Sequence, residues 1–193
     1  DATLIVTPEG KKILVDAGRD KAVLSKLGSI LPPWDRRLDA VIITHPDADH
    51  ITGFVELFER YQIDQVITTG ATAHSSVVEA LNEVIGAEQT QVTLVEQGDQ
   101  LLFGSVLLNI LWPENTLESV IPDDRNHYSV VFEIVYGETN VLLTGDAEED
   151  AEQGFSSLVG NVDVLKVGHH GSITSTTFDL LEAASPEYAV ISV

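Results

Sequence analysis

Thr44-His45-Pro46-Asp47-Ala48-Asp49-His50 gathers four ligand-type side chains within six residues, directly after the apolar run Ala40-Val41-Ile42-Ile43. A short, β-branched, apolar run reads as a buried strand, and the polar residues that leave its end stand where loops carry chemistry. Divalent cations such as Zn²⁺ and Mn²⁺ accept mixed imidazole and carboxylate donors. Neighbouring loop positions can face two ions, with His45 and Asp47 on one and Asp49 and His50 on the other. An ordinary helix start explains one aspartate as an N-cap. It does not explain two aspartates and two histidines after a buried strand.

Two further strand ends supply complementary groups. Leu142-Leu143-Thr144-Gly145-Asp146 is an apolar run that closes on Gly-Asp, and Asp146 is expected to bridge both ions. Gly-Asp alone is an everyday turn and becomes informative only beside the first cluster. Asp163-Val164-Leu165-Lys166-Val167-Gly168-His169-His170-Gly171-Ser172 delivers a histidine pair into a glycine-flanked loop. One of His169 and His170 is expected on metal and the other to orient the site or handle protons; the sequence leaves open which. Two cations roughly 3.5–4 Å apart acidify water and neutralise the group under attack, so such a site hydrolyses without a Ser or Cys nucleophile. Catalytic roles are therefore expected for Asp49, Asp146, His169 and His170, with the non-ligand histidine as general acid.

Strand-like runs cover Thr3 to Thr7, Lys12 to Asp16, Ala40 to Thr44, Gln65 to Thr69, Gln91 to Val95, Val106 to Leu111, Val130 to Val135, Asn140 to Thr144, Asp163 to Val167 and Tyr188 to Val193. Helical periodicity is clearest in Gly53 to Arg60, Ala73 to Ile85, Ala147 to Leu158 and Thr176 to Ala184. Two outlined halves each end a strand in ligand residues and follow it with a helix. This predicts an α/β layered domain of two packed sheets, helices outside, and a site along one shared edge. Trp112 to Arg125 reads as a surface loop.

The 193 residues fit one domain, 1–193. The chain opens in mid-strand at Thr3-Leu4-Ile5-Val6-Thr7 and has no methionine, so it is expected to be cut at both ends from a longer protein. Cysteine is absent, which excludes disulfides and thiolate metal sites and leaves imidazole and carboxylate as ligands. No apolar run approaches the ~20 residues of a membrane-spanning helix, so direct membrane insertion of this segment is not expected. The net charge of −21 argues against non-specific attraction to phosphate backbones, an objection that cations among the carboxylates would weaken.

These motifs resemble the metallo-β-lactamase superfamily, with its His-x-His/Asp-x-Asp-His segment, a later Gly-Asp and later histidines. Within it the chain is similar to the C-terminal domain of the ComEC family of membrane DNA-uptake channels. The shared segments are Lys12-Ile13-Leu14-Val15-Asp16-Ala17-Gly18, His45 to His50, Leu143 to Asp146, Leu165 to Ser172 and Pro186 to Ser192. The resemblance implies an αββα sandwich of two mixed β-sheets with flanking helices. It also implies a nuclease that degrades the DNA strand not taken up, probed most simply as single-stranded DNA, with two Mn²⁺ or Zn²⁺ ions. Its setting would be an extracytoplasmic domain joined in cis to membrane channel domains.

Two departures accompany the resemblance. Where superfamily members carry a ligand histidine before the Gly-Asp strand, this chain reads Arg125-Asn126-His127-Tyr128-Ser129, and His127 is expected to be a loop residue. The superfamily's last metal histidine would fall after Val193. Substrate or supporting contacts are expected from Asn126, Ser129, Lys166, Ser172 and Thr174. Asp16 is expected to anchor the ligand loop by hydrogen bonds, His74 to sit on the surface, and Trp34 and Trp112 to serve packing or loop anchoring. A phosphodiesterase acting on cell-surface phosphocholine and a catalytically degenerate structural domain are the alternatives.

Overall fold

The structure is a computed structural model and describes residues 1–192. Two mixed sheets pack face to face. The first has the order β1 (Thr3–Val6), β2 (Lys12–Val15), β4 (Ala40–Ile43), β6 (Gln65–Thr68), β7 (Gln91–Leu94), with β1 antiparallel to β2 and the remaining pairs parallel. In the second, β13 (Tyr188–Val190), β12 (Val164–Lys166) and β11 (Thr139–Leu143) run parallel, and β10 (Val131–Tyr136), β9 (Val106–Trp112) and β8 (Gln100–Phe103) continue antiparallel. A two-stranded ribbon pairs β3 (Arg37–Leu38) with β5 (Gln62–Ile63).

Three apolar clusters define four layers. Ile13, Val15, Ala40, Ile42 and Ile67 of the first sheet meet Val106, Leu108, Ile110, Phe132 and Leu143 of the second, forming the inter-sheet core. The first sheet's other face (Leu14, Val41, Ile43, Val66) is covered by α1 (Ala22–Ile30), α2 (Ala48–Phe58) and α3 (Ser76–Glu88) through Leu27, Phe54, Leu57 and Leu81. The second sheet's outer face (Val131, Leu142, Leu165) is covered by α4 (Glu149–Phe155) and α5 (Phe178–Ala184) through Phe155 and Leu180. A central parallel strand between two apolar layers must be apolar on both faces, which is why Ala-Val-Ile-Ile of β4 is buried throughout. The result is the expected αββα sandwich.

Several boundaries differ from the sequence reading. Helix α2 begins at Ala48 rather than at Gly53, because its first turn is built from the polar ligand residues, which hide the apolar period. Helix α4 begins at Glu149, two residues after Ala147. Trp112 closes β9 and is buried, so the loop starts after it. The helix α1 and the strands β3, β5 and β8 were not anticipated. The last predicted strand runs from Tyr188 to Val190, and Val193 lies outside the described residues.

Every motif sits at the C-terminal end of a parallel strand. Asp16 follows β2, His45 follows β4, Asp146 follows β11, and His169 and His170 follow β12. Open α/β sheets place ligand crevices at that edge. Glu152 of α4 is fully buried and accepts from the backbone N–H groups of Thr176 (2.5 Å) and Thr177 (2.8 Å), tying the loop after the histidine pair to the helix layer.

Candidate metal centre

Asp16 organises the site from beneath. Its Oδ1 accepts from the Thr44 N–H (2.9 Å), while its Oδ2 accepts from the Thr44 hydroxyl (2.7 Å) and faces His50 Nδ1 at 2.8 Å. Asp16 is buried, and although burial alone would raise its pKa, the His50 charge and hydrogen bond hold the carboxyl below its ordinary value. An ionised carboxylate can only accept, so His50 Nδ1 carries the proton and its Nε2 is turned towards Asp146 Oδ2, 3.1 Å away.

The Thr44 hydroxyl extends this control to a second ring. It spends its single proton on Asp16, so at 3.0 Å from His45 Nδ1 it accepts, and Nδ1 of His45 is the protonated nitrogen. The His45 lone pair is thereby left on Nε2, a buried atom with no hydrogen-bond partner. His170 repeats the pattern: Nδ1 lies 3.1 Å from the Ser192 carbonyl, and Nε2 points inward, 3.4 Å from Asp146 Oδ2 and 3.5 Å from Asp49 Oδ2. Three imidazoles thus bind the protein through Nδ1 and present Nε2 to one space. Orientation by a second layer of acceptors is how metal-binding histidines are held.

The electrostatics follow from this packing. Burial works against charge on His50, but Asp16 and Asp146 on either side overcome it and push its pKa up to about 9. Burial, followed by the neighbouring His50 charge, pushes His45 down to about 4. Burial opposes ionisation of Asp146 too, yet its hydrogen bond from His50 and the surrounding imidazoles hold it far below the usual carboxylate range.

Of the residues expected at the site, His45, Asp49, His50, Asp146 and His170 come together. Asp1, which no spacing pattern marks, joins His50, Asp146 and His170 with donor atoms all within 4.8 Å of one another. Asp47 occupies the N-cap position of α2, but its side chain makes no capping bond. One of its oxygens is held by Arg125 Nε, and the other lies 3.9 Å from His45 Nε2. His169 and His170 both adopt left-handed backbone conformations (φ 43° and 53°), which splay their rings apart. His169 therefore turns out of the cluster, with Nδ1 2.6 Å from Glu148 Oε1, and Asn126 donates to the same oxygen at 3.4 Å.

The expected substrate contacts fall in different places. Ser129 is fully buried; its hydroxyl accepts from the Asp146 N–H (3.2 Å) and lies 3.3 Å from His45 Nδ1, so it holds two site residues and cannot reach a substrate. Lys166 is largely buried, with Nζ 2.6 Å from Asp1 Oδ2 and donating to the Gly145 carbonyl, and burial lowers its pKa. Ser172 and Thr174 pair with each other at the surface, 2.8 Å apart. His127 packs edge-on against Trp112 and Tyr128, away from the cluster, and its carbonyl accepts from the buried Trp112 indole. His74 and Trp34 are exposed.

Whether these residues suit a cation can be judged from their unpaired atoms. His45 Nε2, Asp146 Oδ1 and His170 Nε2 are buried with no hydrogen-bond partner among the described residues. Buried polar atoms left unmatched are costly, and these three belong to one cluster of imidazole and carboxylate donors. That is a donor set for a divalent ion such as Zn²⁺ or Mn²⁺.

A four-layer αββα sandwich with such donors at its strand ends defines the class of metallo-β-lactamase folds. The domain family described as "Beta-lactamase superfamily domain" matches residues 11–172, and the chain belongs to that family. It is 34% identical over 196 residues to "Recombination protein 2" of Haemophilus influenzae, a match spanning 99% of this chain and 22% of that protein. It is 29% identical over 206 residues to "Competence protein ComA" of Neisseria gonorrhoeae, spanning 98% of this chain and 25% of that protein. The chain thus spans a quarter or less of the length of these relatives. Among solved structures it is similar to the metallo-β-lactamase fold protein YhfI of Bacillus subtilis, with TM-score 0.56 and 24% identity, over 86% of this chain and 61% of that one. At that identity the likeness speaks for the fold. Members of this fold are typically metal-dependent hydrolases.

Proposed function

We propose that this domain is a metal-dependent phosphodiesterase that cleaves DNA, single-stranded in its simplest substrate, within a longer membrane protein of DNA uptake and on its extracytoplasmic side. The observation that carries the reading is the set of partnerless buried donors contributed by strand ends of both sheets. The competence protein among the relatives supports the setting. No helix among the described residues is long and apolar enough to cross a membrane, which accords with channel domains being supplied elsewhere in cis.

His50, Asp146 and His170 would hold one divalent ion, Mn²⁺ or Zn²⁺, with Asp49 and Asp1 at its edge, and His45 and Asp47 would hold the other. Asp146 has one oxygen bonded to His50 and a second without a partner, and that free oxygen would be available to an ion. Such ions acidify water and neutralise charge on the oxygens of the ester under attack. The protein's own contribution is orientation. Asp16 and Thr44 fix the tautomers of His50 and His45, and Ser129 fixes the Asp146 backbone. His169, outside the cluster and braced by Glu148, would deliver a proton to the leaving oxygen.

One observation favours a second substrate class. The net charge of −21 repels a polyanion at long range, which suits a small phosphodiester such as a cell-surface phosphocholine better than DNA. The test incubates the purified protein with Mn²⁺ or Zn²⁺ and either single-stranded DNA or a small chromogenic phosphodiester. DNA cleavage abolished by Asp146→Ala supports the first reading, and cleavage of the small ester alone supports the second. A folded, metal-binding protein without turnover on either overturns both and leaves a structural domain.

A further inference from the structure

An anionic ester approaching this site meets the carboxylates of Asp1, Asp47, Asp49, Asp146 and Glu148, in a chain whose net charge is −21. Among the described residues, two lysine or arginine side chains form ion pairs with these carboxylates. Lys166 is committed: its Nζ lies against Asp1 and the Gly145 carbonyl, and its side chain is only 13% exposed. Arg125 is different. Its Nε binds one oxygen of Asp47, its side chain is 40% exposed, and among the described residues its two terminal nitrogens have no hydrogen-bond partner.

From this arrangement we infer that Arg125 is the phosphate-recognising residue of the site, a role that rests on the phosphodiesterase reading. Asp47 serves as its tether. A guanidinium is planar with five donors in a fixed fork, so an Nε bonded to Asp47 keeps the terminal N–H groups near that carboxylate while leaving them available. That leaves a two-pronged donor on Asp47, whose other oxygen lies 3.9 Å from His45 Nε2, and such a fork matches two oxygens of a phosphate.

The backbone around Arg125 is held independently of its side chain. The Asp124 carboxylate accepts from the N–H groups of Asn126 (3.0 Å) and His127 (3.3 Å), and the Arg125 carbonyl accepts from the Tyr128 N–H (3.2 Å). The short 3-10 turn Asn126–Tyr128 that follows packs towards α4. Replacing the guanidinium therefore removes the anion donor while leaving the loop in place. Arg125 closes the stretch Trp112 to Arg125 that reads as a surface loop, which is why spacing patterns pass over it.

The experiment uses the metal-loaded protein, its Arg125→Ala and Arg125→Lys variants, and two readouts. Inorganic phosphate binding is measured calorimetrically, and KM and kcat are measured on a small chromogenic phosphodiester. A charge-assisted pair of this kind corresponds to about a 10- to 100-fold loss of phosphate affinity in Arg125→Ala. KM is expected to rise by a similar factor, and Arg125→Lys to recover only part of it, because an ammonium keeps the charge and loses the fork. Mn²⁺ affinity, titrated separately in the absence of phosphate, is expected to change by less than about threefold. Unchanged phosphate affinity in Arg125→Ala overturns the inference, as does a loss fully explained by weaker Mn²⁺ binding, which would make Arg125 a support for Asp47 only. Should the wild type turn over no phosphodiester yet bind phosphate through Arg125, the anion site stands and the phosphodiesterase reading falls.

Discussion

Asp16 fixes more of this site than any residue that faces the proposed ions. One buried carboxylate holds Nδ1 of His50 directly and that of His45 through the Thr44 hydroxyl, so both rings turn Nε2 towards a cation, already bare on His45 and still carrying a proton on His50. Asp16→Asn replaces an obligate acceptor with an amide that can also donate. The expected loss is about 10- to 100-fold in Zn²⁺ or Mn²⁺ affinity, read by competition with a chelating dye. Thr44→Val breaks only the relay to His45 and should cost less. A second expectation concerns protons. His50 has its pKa raised to about 9 from an ordinary 6.5, so in the metal-free protein its charge stabilises the fold fully below about pH 6.5, and that contribution is lost as pH rises through about 9. A cation on Nε2 must displace that proton. Metal binding at pH 7 should release about one proton, and affinity should climb with pH until about 9, measured by calorimetry in buffers of different ionisation enthalpy. His45, already neutral because its pKa is pushed down to about 4, adds nothing to this release. Absence of proton release would mean that no ion displaces the proton on His50 Nε2.

The turns that end β2, β11 and β12 decide where these side chains point, and they carry the left-handed residues Asp16, Gly145, His169 and His170. Gly145 has φ 53°, and a Cβ there would stand 2.9 Å from Ser129 Cβ and 3.2 Å from Thr44 Cβ, the two residues that brace Asp146 and His45. Gly145→Ala should therefore destabilise the protein by roughly 1–3 kcal/mol and weaken metal binding with it, in thermal unfolding and titration side by side. Much of this architecture is legible in the sequence because a buried parallel strand announces itself: Val41-Ile42-Ile43 and Leu142-Leu143 are apolar on both faces and stop at ligand residues. Helix α1 is not, because Lys21 makes no capping bond and no acid marks its first turn. Strand β8, Gln100-Leu101-Leu102-Phe103, lacks both alternation and β-branched residues. Within the site, the choice between His169 and His170 is set by two successive left-handed residues, and no one-dimensional pattern encodes that. Asp1, Glu148 and Arg125 are recruited through tertiary contacts alone, from an isolated position, a helix start and a loop.

Seen as a whole, the molecule is two sheets whose ligand-bearing edges meet at one line. His45, Asp47, Asp49 and His50 come from the first sheet and its helix α2, while Asp146 and His170 come from the second. An ion held by His50, Asp146 and His170 would therefore cross-link the two layers beyond their apolar core and the hydrogen bonds at its edge, and would bind the folded state. At a metal concentration 100 times Kd the stabilisation is about 2.7 kcal/mol. For a chain of this length that corresponds to a rise in Tm of about 5–10 °C. Asp146→Ala should abolish the rise, since it removes the carboxylate that links both halves, while Ser172→Ala at the surface should leave it intact. The acidic balance of the chain fits the same picture: cations settle among carboxylates that would otherwise repel one another.

Anomalous scattering from crystals of the protein soaked in Mn²⁺ or Zn²⁺ addresses the convergence of the two sheets without reference to any substrate. The expected result is a peak about 2.0–2.3 Å from His50 Nε2, His170 Nε2 and an Asp146 oxygen together. Peaks confined to surface acids, with His50 still bonded to Asp146 and the three imidazole Nε2 atoms empty, would contradict it.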